Sequence, residues 1–168
     1  MGDIRIRAAR AGEWAEIGEL TLAAYQADGF VGAEEEDGYG AQLRDAARRA
    51  EHAELLVAVG ADDRIVGSVA VVLPGTRFAE ISREGEVEFR MLAVAPSARG
   101  RGVGALLAQA VIERGLEHGA SRIVLCSLDL MHTAHRLYER LGFRRLPERD
   151  WEPAPGVRLL TFGLDLAA

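Results

Sequence analysis

Arg99-Gly100-Arg101-Gly102-Val103-Gly104 puts three glycines at alternate positions beside two arginines, where a strand-like pattern gives way to a helical one. A helix start carries unpaired N–H groups and the positive end of the macrodipole, so it attracts anions. Glycine lets the backbone approach a phosphate closely and accepts positive φ, while arginine adds charge that reaches phosphate oxygens. The stretch therefore reads as a pyrophosphate cradle. Upstream, Glu86, Glu88 and Arg90 alternate with Val87, Phe89 and Met91, which points the charged set to the open, polar side of a strand. Downstream lie one cysteine, Cys126, and the pair His132-x-x-His135. Two histidines with no third partner nearby are a weak metal signal, so no metal is expected and surface or capping roles suit them better. Cys126 ends an apolar strand, and free cysteine is commonly buried.

The elements that must position these residues follow in order. Ile4–Ala9 alternates as a half-buried strand, and Glu13–Gln26 carries helical periodicity. Asp28–Gly38 is a glycine-rich loop with the acidic run Glu34–Asp37, which could attract a cationic amine or simply be solvated. A second helix is expected over Tyr39–Ala50, with Leu43, Ala46, Ala47 and Ala50 inward. Leu55–Val59 and Ile65–Leu73 form a hairpin. A mobile-looking connection, Thr76–Gly85, leads to the strand Glu86–Val94. A helix from Gly102 to His118, a strand Arg122–Ser127 and a short helix stopped by Gly142 come next. Phe143–Leu146 and Val157–Leu166 are strands around a turn-rich Pro147–Gly156. The order implies an α/β (α+β) mixed sheet, mostly antiparallel and twisted, with one parallel, right-handed βαβ crossover and helices on both faces.

Composition narrows the chemistry. The 168 residues suit a single domain, 1–168, able to bury about 70% of its unfolded surface. No stretch approaches the ~18 apolar residues of a membrane span, and the first residues lack a signal-peptide pattern, so a cytoplasmic protein without membrane attachment is expected. A net charge of −6 argues against nucleic acid as partner. All 20 basic residues are arginine. Without lysine there is neither a Walker P-loop nor a Schiff base. Gly100-x-Gly102-x-x-Ala105 can be forced onto a dinucleotide fingerprint, but that needs two βαβαβ halves and the chain supplies one crossover.

The stretch Glu86–Leu107 resembles the acyl-CoA motif of the GNAT superfamily of N-acetyltransferases. The pattern Arg/Gln-x-x-Gly-x-Gly/Ala is met by Arg99, Gly102 and Gly104. A second family pattern, Ala-x-x-Leu-Tyr-x-x-x-Gly-Phe, is met by Ala134, Leu137, Tyr138, Gly142 and Phe143. The resemblance extends to the whole element order, though not to the regions that determine the acceptor. It implies a GNAT-like fold and a β-bulge that splays strand 86–94 from strand 122–127. The splay would open a V for pantetheine, which pairs with Leu92, Ala93 and Val94. Arg99, Gly100, Arg101, Gly102, Val103, Gly104 and Ala105 would hold the pyrophosphate, chiefly through backbone N–H groups.

Moving an acyl group from a thioester to an amine requires a base, an oxyanion donor, an acid for the thiolate and alignment. The resemblance makes Glu88 the base, with Glu86 in reserve, and Tyr138 the acid. A backbone N–H near Met91 or Leu92 would meet the oxyanion. Met131 stands where many relatives have asparagine, and His132 could compensate. The expectation is an acetyl-CoA-dependent N-acetyltransferase acting on a small-molecule or peptide amine in a ternary complex. A non-catalytic acyl-CoA-binding module is the alternative. The acceptor is not legible, and neither is the oligomeric state, although homodimers are common in that family.

Overall fold

The chain passes between its two compact units at the end of strand β3 (Ile65–Val72), within strand β4 (Glu86–Val94) and within helix α4 (Val103–Glu117). The structure is a computed structural model and describes residues 3–31 and 38–166. The first unit comprises Met1–Val71 and Met91–Ala110, and the second Val72–Arg90 and Val111–Ala168. The Glu34–Asp37 run lies outside the described residues.

In the first unit, β1 (Arg5–Ala8), β2 (Glu54–Val59) and β3 (Ile65–Val72) pair antiparallel in that order. Strand β2 is rich in Leu and Val and is buried from Leu55 to Val59, as a strand covered on both faces should be. Helix α1 (Trp14–Ala27) buries Ile17, Thr21, Leu22 and Ala24, and Leu22 joins Val31, Leu43 and Met91 in one apolar cluster. The expected helix over 39–50 is instead two helices, α2 (Tyr39–Arg44) and α3 (Ala46–His52). Asp45 breaks it: its backbone leaves the helical region (φ −86°, ψ 68°) and its carboxylate accepts the Arg48 N–H at 3.1 Å. Such a side-chain cap competes well with helix continuation. The break changes the phase, so Ala47 is exposed and Arg49 buried. The Arg49 guanidinium donates to the Gln42 and Leu43 carbonyls at the end of α2.

In the second unit, β4 runs parallel to β5 (Arg122–Leu128), and β5 pairs antiparallel with β8 (Val157–Asp165). Strand β8 also takes β6 (Arg144–Arg145) and β7 (Trp151–Ala154). Strand β7 falls in the stretch read as turns. Its pairing with β8 around Gly156 supplies what local sequence, interrupted by Pro153, does not. Helix α5 (His132–Arg140) ends at Gly142, whose φ of 99° fits the expected left-handed cap. The sheet is thus mostly antiparallel with one parallel pair. No described helix is long and apolar enough to cross a membrane.

Candidate active site

In the first unit, Gly100 and Gly102 take φ of 79° and 76°, a region that side chains other than glycine enter at a cost. A Cβ at either would meet nothing within 4 Å, so the two glycines answer to backbone shape and leave open space beside them. Helix α4 begins at Val103, and the first N–H groups of any helix lack intrahelical acceptors. Gly67 of β3 brings this helix start close: a Cβ there would lie 2.9 Å from Val103 and 3.0 Å from Leu107. Arg101 is exposed and makes no hydrogen bond or ion pair among the described residues. Arg99 departs from the expectation of a phosphate-reaching side chain. Its guanidinium donates to Asp28 at 2.6 Å and to the Ala24 carbonyl at 3.3 Å, tying the loop to the end of α1. The open glycine turn, the helix start and Arg101 fit a pyrophosphate, with the backbone as chief donor.

Leu92 and Val94 are half-buried and Ala93 is buried, next to a residue in unusual backbone geometry. Met91 has φ of 56°, rare for a bulky side chain and costing about 1–3 kcal/mol. The burial of Met91 among Leu22, Val31 and Leu43 helps to hold it there. The parallel pairing of β4 with β5 stops at Glu88↔Val124, three residues before Met91. The irregularity that the family resemblance implies is therefore present in β4.

The second unit holds Glu86, Glu88 and Tyr138. Glu88 does not face an open, polar side; it is 0% exposed. The segment Glu80–Ser82 covers it. Its Oε1 accepts the N–H groups of Glu80 at 3.0 Å, Ile81 at 3.2 Å and Ser82 at 3.1 Å, while Oε2 accepts that of Glu80 at 3.2 Å. Burial pushes its carboxyl above the usual range, and these N–H groups oppose the shift. Thr76–Gly85 is thus anchored at its centre. Arg149 donates to the Ile81 carbonyl and Arg90 to that of Phe78.

Glu86, the reserve base, is a structural ion-pair partner. Arg149, itself buried, donates to both its oxygens at 2.8 Å, and Arg122 lies at 3.7 Å. Burial alone would raise the Glu86 carboxyl, but Arg149, the Arg83 N–H and Arg122 together hold it below its ordinary range. Sequence alternation failed on this strand because both faces of β4 are covered: Val87, Glu88 and Phe89 are all buried.

Tyr138 is 5% exposed and sits among Phe89, Phe143 and Phe162 at centroid distances of 5.7, 6.0 and 5.8 Å. Burial alone drives its hydroxyl well above the ordinary value of 10, so it stays protonated through any working pH. The hydroxyl makes no hydrogen bond with the described residues. Phe89 and Glu88 are neighbours on a strand, so their side chains point to opposite faces. Tyr138 and the carboxylate of Glu88 therefore serve opposite faces of β4 rather than touching.

One acidic side chain, Glu80, escaped sequence reading. Glu80 pairs with Arg90 at 3.0 Å and accepts the Cys126 S–H at 3.3 Å. The ligand atoms of Glu80, Glu88 and Cys126 lie within 4.8 Å of one another. Burial and the Glu80 charge raise the Cys126 thiol well above its ordinary 9.0, which makes it inert rather than nucleophilic. No local signal marks Glu80, because it acts only once Thr76–Gly85 folds over β4. The rings of His132 and His135 meet edge to face at 5.9 Å. His135 Nε2 lies 3.0 Å from the Leu128 carbonyl, and Ser127 donates to the Met131 sulfur at 3.4 Å.

The fold is shared with known proteins. The sequence profile of the Acetyltransferase (GNAT) family matches residues 14–143, and the chain belongs to that family. N-acetylaspartate synthetase of Danio rerio is 38% identical over 78 residues, 45% of this chain and 28% of the relative. The chain thus spans under a third of that relative's length. An acetyltransferase of the GNAT family from Staphylococcus aureus superposes with a TM-score of 0.75 at 17% identity, over 98% of this chain and 99% of that one. The structure of yncA from Salmonella typhimurium, solved with its cofactor acetyl-CoA, gives a TM-score of 0.69 at 20% identity, over 99% and 95%. At such identities the likeness shows the fold.

Proposed function

We propose that the chain is an N-acetyltransferase that moves an acetyl group from acetyl-CoA to a primary amine by direct attack in a ternary complex. The observation that carries this reading is the glycine turn at Gly100 and Gly102, open at both Cβ positions and running into α4. Val103, Gly104 and Ala105 present helix-start N–H groups to the pyrophosphate, and Arg101 adds charge. Leu92, Ala93 and Val94 follow the Met91 irregularity and offer backbone groups to the pantetheine arm. When bound, acetyl-CoA supplies an activated thioester.

The protein's part is to hold protons and charge. A backbone N–H at Met91 or Leu92 meets the developing oxyanion. Tyr138, kept neutral by its aromatic surroundings, presents its hydroxyl proton to the leaving sulfur. Its raised pKa suits donation coupled to sulfur departure rather than prior ionisation. The base function belongs to the carboxylate group around Glu88. The acceptor is an amine, and an amino-acid amine is the first to try because the zebrafish relative is named for an acetylated amino acid.

The reading is tested by heat-shift measurements with acetyl-CoA, NAD and ATP. A ligand that binds only the native state raises the melting temperature, so acetyl-CoA should stabilise and the other two should not. Stabilisation by NAD in its place would sink the proposal.

A further inference from the structure

Glu88 has the right type for a base and the wrong surroundings. Its Oε1 already accepts three N–H groups, more than the two lone pairs of one carboxylate oxygen normally serve, and the side chain has no exposed surface. Oε2 accepts one N–H, but with the side chain fully buried an incoming amine has no open approach to it. Glu80 is the reverse case: its backbone N–H is pinned to Glu88, yet its side chain keeps 22% exposure. The contacts from Arg90 and Cys126 both fall on Oε1.

The position of Glu80 is also set by the sheet. On β5, Val124 is the last residue paired with β4. Side chains two apart on a strand share a face, so Cys126 continues the face of Val124 and Glu88 beyond the point where pairing stops. Glu80 touches Cys126 there. Its carboxylate therefore lies beside Cys126, two residues beyond the last β4–β5 pair.

We propose that Glu80 is the group that takes the proton from the acceptor amine, with Glu88 as the positioning residue that fixes the Glu80 backbone. This rests on the acetyl-transfer reading and deepens it. The amine nitrogen forms a bond to the acetyl carbonyl carbon and releases its proton to Glu80. The carbon–sulfur bond breaks, and the sulfur takes the Tyr138 hydroxyl proton. Solvent then removes the proton from Glu80 and returns one to Tyr138, leaving an amide and free CoA. The charged and titratable groups facing Glu80 are Arg90 and Glu88 from β4 and Cys126 from β5. Arg149 holds the same segment through the Ile81 carbonyl.

The test compares wild type, Glu80→Gln, Glu80→Asp and Glu88→Gln by thiol release from acetyl-CoA. The acceptors are a panel of L-amino acids, polyamines and aminoglycosides, with kcat/KM followed against pH. Glu80→Gln should lower kcat/KM by about 10²–10⁴-fold, the usual reach of general-base catalysis, and abolish the acid limb of the profile. Its heat shift with acetyl-CoA should match wild type, and Glu80→Asp should restore part of the rate and the limb. Glu88→Gln should melt earlier yet keep the limb. A Glu80→Gln profile like that of wild type overturns the proposal, as does a limb lost in Glu88→Gln alone. No thiol release by wild type with any amine overturns the transfer reading itself, and this inference with it.

Discussion

The two units handle charge by opposite means. In the first, the proposed anion seat around Gly100 and Gly102 relies on backbone, N–H groups and a turn with positive φ, beside an exposed Arg101 and with Arg99 turned aside to Asp28. In the second, titratable side chains are taken out of water: Glu88 under Glu80–Ser82, Glu86 against Arg149, and a neutral Tyr138 among phenyl rings. Backbone donors cost little to present because the helix leaves them unpaired in any case. Buried carboxylates carry a desolvation cost that only specific partners offset. The first unit should therefore respond to changes of shape, and the second to the loss of single partners.

Tyr138→Phe is expected to have the largest effect. It should slow thiol release by about 10²–10⁴-fold while leaving the acetyl-CoA heat shift intact, because the ring packing survives. Equal loss of rate and binding would show that Tyr138 belongs to the donor seat instead.

Next comes Arg149→Met, which leaves Glu86 buried without its counter-ion. The expected loss is about 3–5 kcal/mol, read from urea unfolding. A loss comparable to that of a surface pair would make the second unit no more partner-dependent than the first. The same variant has a pH signature. The folded pKa of Glu86 lies below its ordinary 4.5, so the pair's contribution is complete above that value and disappears as pH falls through the folded pKa. Wild type should lose its advantage over Arg149→Met on acidification. Glu88 works with the opposite sign: its pKa is raised, so its ionisation costs stability as pH climbs.

The smallest effect should follow Gly102→Ala. A Cβ there clashes with nothing in the free protein, so stability should fall only by the left-handed penalty of about 1–2 kcal/mol. The methyl group would occupy the space left for phosphate, and the acetyl-CoA heat shift should shrink accordingly. An unchanged heat shift would place the pyrophosphate elsewhere.

What was readable divides along the same line. Elements whose periodicity reports a single buried face, such as α1, appeared in the sequence within a residue or two of their place. The glycine turn was readable because positive φ and an open approach demand one residue type. The break at Asp45 and the strand β7 were missed because a cap and a pairing partner overrode local pattern. Glu88 and Glu86 were identified as candidates, but not their circumstances, since alternation assumes one wet face and β4 has none.

By itself, then, the sequence marked the glycine turn, most of the element order and the helix that carries Tyr138, because each is written in neighbouring residues. Only the tertiary structure decided which carboxylates are buried and which donors each one meets. Glu80 and Glu88 are eight residues apart in the chain, and Arg149 is more than sixty from Glu86. Whether a buried carboxylate is a base, an anchor or an ion-pair partner depends on the donors that folding brings to it, and no local spacing records them.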